Sequence, residues 1–267
     1  MAEREPLFAI LRAGTRIWAV PAIHGQVDRL RALHDALEAE FAVGDQLVYL
    51  GNYTGHGVPA RETIDELLLF RRDLLARPGM EPEHIVYLRG GQEEMWQKLS
   101  QVQFAPNPRE VLKWMEHEGI GPTIDSYGGR MQEAQGAARD SVLALTRWTS
   151  RISANFRAND GHAQLMAALR HAAYVENASL LFVHAGIDPQ RPLSAQSDSF
   201  WWGGAGFAAI DSPYEDYRRI VRGYDRRHGG FQETQLTITL DGGCGFDGPL
   251  LAGCFGPHGD FEGTLSA

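Results

Sequence analysis

Two histidines stand directly after short apolar runs and before a small-residue turn: His24 in "IWAVPAIHG" and His184 in "LLFVHAG". An imidazole delivered to the carboxyl end of a strand serves as a metal ligand, a proton carrier or a phosphate contact. Two further apolar runs close on glycine with a polar group: Gly51-Asn52 after "QLVYL" and Gly90-Gly91-Gln92 after "HIVYLR". Taken singly, His24, Asn52, Gln92 and His184 are ordinary turn residues. Four in the same setting point to one shared site. Such a metal site normally carries a carboxylate two residues before the first histidine, and Ala22 stands there.

The elements that must position these groups follow from periodicity. Apolar runs at 17–20, 46–50 and 84–88 alternate with helical spacing at 26–40 (Val27, Leu30, Leu33, Leu37), at 61–76 (Ile64, Leu67, Leu68, Leu75) and from Gln92 onward. That rhythm predicts a layered α/β fold. Residues 101–175 differ, with helical stretches around 109–118, 139–157 and 162–172, and read as a helical cap or insertion. Strand character returns at 179–184, 234–240 and 249–255. The last two, joined by "DGGCGFDG", are most simply a hairpin.

The 267 residues, 43% of them hydrophobic, can bury one large core with a cap. Lys+Arg 25 against Asp+Glu 34 gives −9, which argues against polyanion binding. Neither a nucleic-acid nor a membrane partner is expected, since no segment approaches the run of about 18 apolar residues that a membrane helix needs. The charged Met1–Pro6 stretch lacks a signal peptide's apolar run, and Cys244 and Cys254 form no CxxC pair. The chain reads as cytoplasmic.

The order and spacing of these segments resemble the calcineurin-like metallophosphoesterases, in particular the bacterial serine/threonine protein phosphatase and diadenosine-tetraphosphatase-like branch. That family carries GDxHG, GDxxDRG, GNHE, HAG and GH in order. Here "AIHGQVDRL", "LVYLGNYTGHG", "IVYLRGGQEEM" and "LLFVHAGIDPQRPLSAQ" resemble the first four, and "IVRGYD" stands where "VVHGHT" would be expected. "GIGPTIDSYGG" resembles a cap segment of the branch, and "LDGGCGFDGPLLAGCF" its final hairpin. The match spans roughly residues 15–256. It implies a four-layer αββα sandwich, two mixed sheets flanked by helices, as one domain over 1–267 with the cap at about 101–175.

The resemblance also implies two metals and their ligands, but residue by residue only His24 and His184 match. Ala22 replaces the first Asp, Asn52 the bridging Asp, Gly91 the Asn and Tyr224 the last His. Gln92 replaces the general-acid His, Gly55 the Asp that orients it, and His56 the phosphate-holding Arg. Two nearby divalent cations need an anionic bridge, which a neutral amide cannot provide. Gln92 cannot deliver a proton, and His56 lacks arginine's planar fork. No binuclear pair is expected. One weakly held divalent ion (Zn, Mn or Fe) on His24, His184 and Asn52 or His56 is the alternative.

A chain that keeps its fold while losing a coordinated set of ligands reads as a pseudophosphatase. Its expected role is a binding or regulatory module for a protein or a phosphorylated ligand, contacted through His56, Arg89 or Gln92. The alternative is a residual single-metal phosphoesterase using His24 and His184. "SFWWGGAGF" (199–207) reads either as core packing or as a partner-binding loop. "YDRRHGG" (224–230) reads as a solvated turn or an anion contact.

Overall fold

In the computed structural model, which describes residues 7–57, 59–204 and 206–267, the central strands are buried on both faces because two sheets stack and each is covered outside. Met1–Pro6 and Ala205, within the aromatic stretch, lie outside the described residues. One sheet contains β2 (Ile17–Val20), β3 (Gln46–Tyr49), β4 (Ile85–Tyr87), β10 (Leu251–Phe255) and β11 (Phe261–Ser266), in the order β11-β10-β2-β3-β4. The other contains β1 (Phe8–Leu11), β5 (Ala172–Val175), β6 (Leu180–Val183), β7 (Arg219–Arg222), β8 (Gln232–Glu233) and β9 (Thr237–Thr239), in the order β1-β5-β6-β7-β9-β8. Both sheets are mixed: β2-β3-β4 and β6-β7-β9 run parallel, whereas β10 pairs antiparallel with β2 and with β11.

Period-two alternation sorts the side chains. Ile17, Ala19, Val48, Val86, Phe182 and Val221 face the space between the sheets, where Phe255 and Leu180 join them. Trp18, Val20, Leu47 and Tyr49 face outward onto α1 (Val27–Glu40) and α2 (Ala60–Leu75), which present Leu30, Leu33, Leu37, Ile64 and Leu67 at helical spacing. The outer face of the second sheet is covered mainly by loop, with Ile187, Leu193, Phe207 and Tyr214, and by the short α9 (Asp198–Trp202). The aromatic stretch is therefore partly core: Phe200, Trp201 and Phe207 are buried there.

Between β4 and β5 the chain is helical: α3 (Gly91–Leu99), α4 (Pro108–His117), α5 (Gly121–Ser126), α6 (Met131–Asp140), α7 (Val142–Arg157) and α8 (His162–Ala168). Met95 and Leu99 of α3 share one apolar cluster with Leu112, Met115, Ile124, Leu145, Trp148 and Ile152, so this layer is anchored to the third motif. The stretch expected as one helix over 139–157 is broken at Ser141, whose extended backbone and side-chain bond to Ala144 N (3.1 Å) cap α7. Helix ends at Ala168, and Ala172–Val175 is a strand paired in parallel with β1.

The expected 234–240/249–255 hairpin is not formed. β9 lies beside β7 in one sheet and β10 beside β2 in the other, so "DGGCGFDG" crosses between the sheets. The reason is burial: β10 inserts between β2 and β11 and buries all five of its residues, which an isolated hairpin could not do.

Candidate functional site

The loops after β2, β3, β4, β6 and β7 meet at one end of the two sheets and are laced together by backbone. His24 N donates to Asn52 O (2.9 Å), Gly25 N to Tyr53 O (2.9 Å), Gly57 N to His24 O (3.0 Å), and Ala22 N to Gly223 O (3.0 Å). Tyr224 N donates to His184 O (2.9 Å), and His56 N to Gly119 O (2.9 Å), just beyond α4. Four non-glycine residues in these loops take left-handed backbone: His24 (φ 52°), Asn52 (54°), His56 (55°) and His228 (47°). That conformation costs about 1–2 kcal/mol in a residue other than glycine or Asn/Asp, so the surrounding packing enforces it.

Glu93 organises the backbone beneath. Its carboxylate accepts from Asn52 N, Tyr53 N and Gly90 N, all at 2.9 Å. Burial pushes its pKa up, and these three bonds oppose the rise. With Asn52 N fixed, the Asn52 carboxamide Oδ1 accepts from Gln92 N (2.9 Å).

The structure brings Ala22, His24, Asn52, Gly55, His56, Gly91, Gln92, His184 and Tyr224 together. His24 lies 5.1 Å (ring centroids) from His56, 5.7 Å from Tyr224 and 5.3 Å from Phe246. His184 stacks on Tyr224 at 5.3 Å. Its Nδ1–H donates to Leu50 O (2.6 Å), leaving Nε2 as a lone-pair acceptor. Both nitrogens of His24, Nε2 of His184 and Oε1 of Gln92 are buried with no hydrogen-bond partner among the described residues. Burial depresses the pKa of each imidazole: His184 to about 4, His24 well below its ordinary value with the neighbouring imidazoles adding to the effect, and His56 more mildly. The Tyr224 phenol is pushed up to about 12. The cluster is neutral at pH 7.

The altered positions are filled by neighbours. A Cβ at Gly91 would lie 2.8 Å from the Trp202 ring and 3.1 Å from Trp201 O. A Cβ at Gly55 would lie 2.8 Å from Gln92 Cγ and closer still to its Cδ. Gln92 Nε2 donates to Glu118 O (2.7 Å), so the helical layer closes directly over it. The remaining cleft, bordered by Asn52, Gln92, Glu118, Trp202, Tyr224 and Arg226, has a volume of about 20 Å³, room for roughly one water. Arg89 turns elsewhere: it bonds Glu94 (3.3 Å) and Gln97 and borders a different cavity.

Motif reading did not single out Phe246, Glu118 or Asp241, and it placed Trp202 only in the aromatic stretch 199–207. His228, noted only within "YDRRHGG", stacks on Phe246 (3.8 Å) and contacts Asp241 Oδ2 through Nδ1 (3.1 Å). Phe246 and Asp241 lie within "LDGGCGFDGPLLAGCF" and Glu118 at the end of α4; the glycines of "DGGCGFDG" were the available signal, since a Cβ at Gly245 would press on His24 at 2.7 Å.

No family model and no curated protein sequence matches the chain. Solved structures do. A candidate diadenosine tetraphosphatase is 21% identical, with 97% of each chain covered and a TM-score of 0.55. A serine/threonine phosphatase from Saccharomyces cerevisiae is 15% identical over 98% of this chain and 84% of its own, with a TM-score of 0.51. A cold-active protein tyrosine phosphatase is 13% identical over 97% and 80%, with a TM-score of 0.54. The chain has the metallophosphoesterase fold.

Seen on that fold, the carboxylates around the cluster are already engaged. Asp241 accepts from Asp225 N (2.9 Å) and Gly243 N (2.8 Å) besides contacting His228. Glu118 pairs with Arg226 (2.8 Å), and Glu93 holds its three amides. Besides the Glu118–Arg226 pair, the cleft is bordered by the Asn52 and Gln92 carboxamides, the Tyr224 phenol and the Trp202 ring. Among the described residues no helix is long and apolar enough to cross a membrane.

Proposed function

We propose that this chain is a pseudophosphatase: one cytoplasmic domain over 1–267, with its helical cap at about 101–175, that binds a protein or phosphorylated ligand without hydrolysing it. The observation that carries this reading is the filling of the altered positions, Trp202 over Gly91 and Gln92 over Gly55. Phosphoester hydrolysis needs an activated nucleophile, stabilisation of charge on phosphorus and an acid for the leaving oxygen. The acid position is an amide bonded to a carbonyl, and its former partner's space is occupied. The donor set does not fit a carboxylate-bridged pair of cations, because Asn52 is neutral and the nearby carboxylates are spent. Neutral imidazoles and an Arg226 already paired with Glu118 favour a protein ligand over a phosphate.

The test is p-nitrophenyl phosphate with added manganese. We expect no turnover above the uncatalysed rate; saturable, metal-dependent turnover abolished by His24→Ala would falsify the reading. One observation favours a second reading, a single-metal phosphoesterase: the unpartnered nitrogens of His24 and His184. Zinc, manganese or iron near one equivalent in protein purified without added metal, and lost in His184→Ala, would support it.

A further inference from the structure

A second cavity lies on the other side of Glu93, where α3 meets α7 and α8. Its volume is about 340 Å³, inside the range of about 300–1,000 Å³ that accepts small organic ligands. Trp96 and Phe156, with ring centroids 5.0 Å apart, form aromatic wall, and Met166 and Leu169 extend the apolar surface. Two guanidinium groups, Arg89 and Arg157, border it.

The two cations differ in their commitments. Arg89 bonds Glu94 and Gln97 through Nη1 alone, and its Nε is buried without a partner. A guanidinium offers a carboxylate or phosphate charge-assisted hydrogen bonds from its remaining N–H groups. Arg157, in the last turn of α7, is exposed and makes no ion pair with a described residue. Among the described residues Glu93 is the single carboxylate bordering the cavity, and its oxygens are occupied by Asn52, Tyr53 and Gly90 amides. Glu94 is held by Arg89 and Lys98. The cavity thus combines excess positive charge with flat apolar faces.

We propose that it binds a small aromatic anion, with the acidic head on Arg89 and Arg157 and the ring against Trp96 and Phe156. This does not rest on the pseudophosphatase reading, since the cavity is separate from the cleft beside Gln92 and the probes below are not hydrolysable. Benzoate and phenylphosphonate separate a carboxylate from a phosphoryl head, while phenol and inorganic phosphate each lack one half of the recognised chemistry.

The experiment is isothermal titration of the full chain with these four compounds. Saturable one-site binding of benzoate or phenylphosphonate is expected, with phenol and phosphate at least about tenfold weaker. Arg157→Ala should weaken binding about tenfold, the loss of one charge-assisted hydrogen bond, and Arg157→Lys should restore part of it. Ala163→Trp, filling the cavity from α8, should abolish it; circular dichroism verifies the fold of each variant. The proposal is overturned if neither aromatic anion saturates, if phenol binds equally well, or if Arg157→Ala binds at full strength.

Discussion

Replacing Gly55 by alanine tests whether Gln92 has taken over the space beside the altered acid position. Gly55 has φ 85°, and the left-handed backbone alone costs alanine about 1–2 kcal/mol. The new methyl would also press into Gln92, which is 4% exposed and tied by its backbone to Asn52 and by its side chain to Glu118 O. Overpacking of this kind costs about 1–3 kcal/mol, so Gly55→Ala should lose about 2–5 kcal/mol in urea denaturation. Gln92→Ala alone forfeits the bond to Glu118, about 1 kcal/mol or somewhat more with the carbonyl left bare. In the double variant the clash disappears, leaving the backbone strain and the lost bond to Glu118. The two substitutions should therefore be non-additive by about 1–3 kcal/mol. Additivity within about 0.5 kcal/mol would refute the assignment of Gln92 as the filling group.

Glu93→Ala leaves three buried amides without acceptors, and should cost at least about 3 kcal/mol in the same assay; a cost under about 1 kcal/mol would mean the loops hold themselves. His34 is kept neutral by burial, its Nδ1–H donating to Glu66 (2.6 Å) and its Nε2 accepting from Tyr49 OH (2.8 Å), so its folded pKa lies below 6.5. The unfolded chain protonates first, so this stabilisation is complete above pH 6.5 and is lost as pH falls toward the depressed value. Wild type should accordingly lose its advantage over His34→Gln between pH 7.5 and 5; a constant difference contradicts the assignment. Burial raises both thiols, Cys244 and Cys254, to about 12. A thiol reagent at pH 8 should leave the native chain unlabelled and find both cysteines in guanidinium, whereas rapid native labelling would place one at the surface.

Strands buried on both faces were legible because their residues are apolar throughout: β2, β3 and β6 fall within a residue or two of the apolar runs. Five strands were not: β5 fell inside the expected helical cap, and β1, β7, β8 and β11 drew no strand reading. β1 is an edge strand with Ile10 60% exposed, and β11 alternates between half-buried and exposed residues and contains Gly263. Pairing was harder than existence: nothing local to "PLLAGCF" says that its partner is "IWAV" rather than "TQLTITL". The site divides in the same way. The altered positions could be located from motif order, but their fillers arrive from other parts of the chain. Trp202 comes from α9, Glu118 from the end of α4 and Phe246 from the crossing between sheets.

The pairing of β10 against β2 also bears on how the chain is made. β2 is an inner strand, with β3 on one side and β10 on the other, and Ala19 meets Gly253. β3 is synthesised soon after β2, but β10 emerges from the ribosome only after β3 to β9. Throughout that interval β2 presents an open hydrogen-bonding edge flanked by Trp18 and Val20, the kind of surface that recruits strands from other chains. A nascent chain stalled before residue 251 is therefore a sticky one, and chaperone demand should peak there rather than during synthesis of the helical layer.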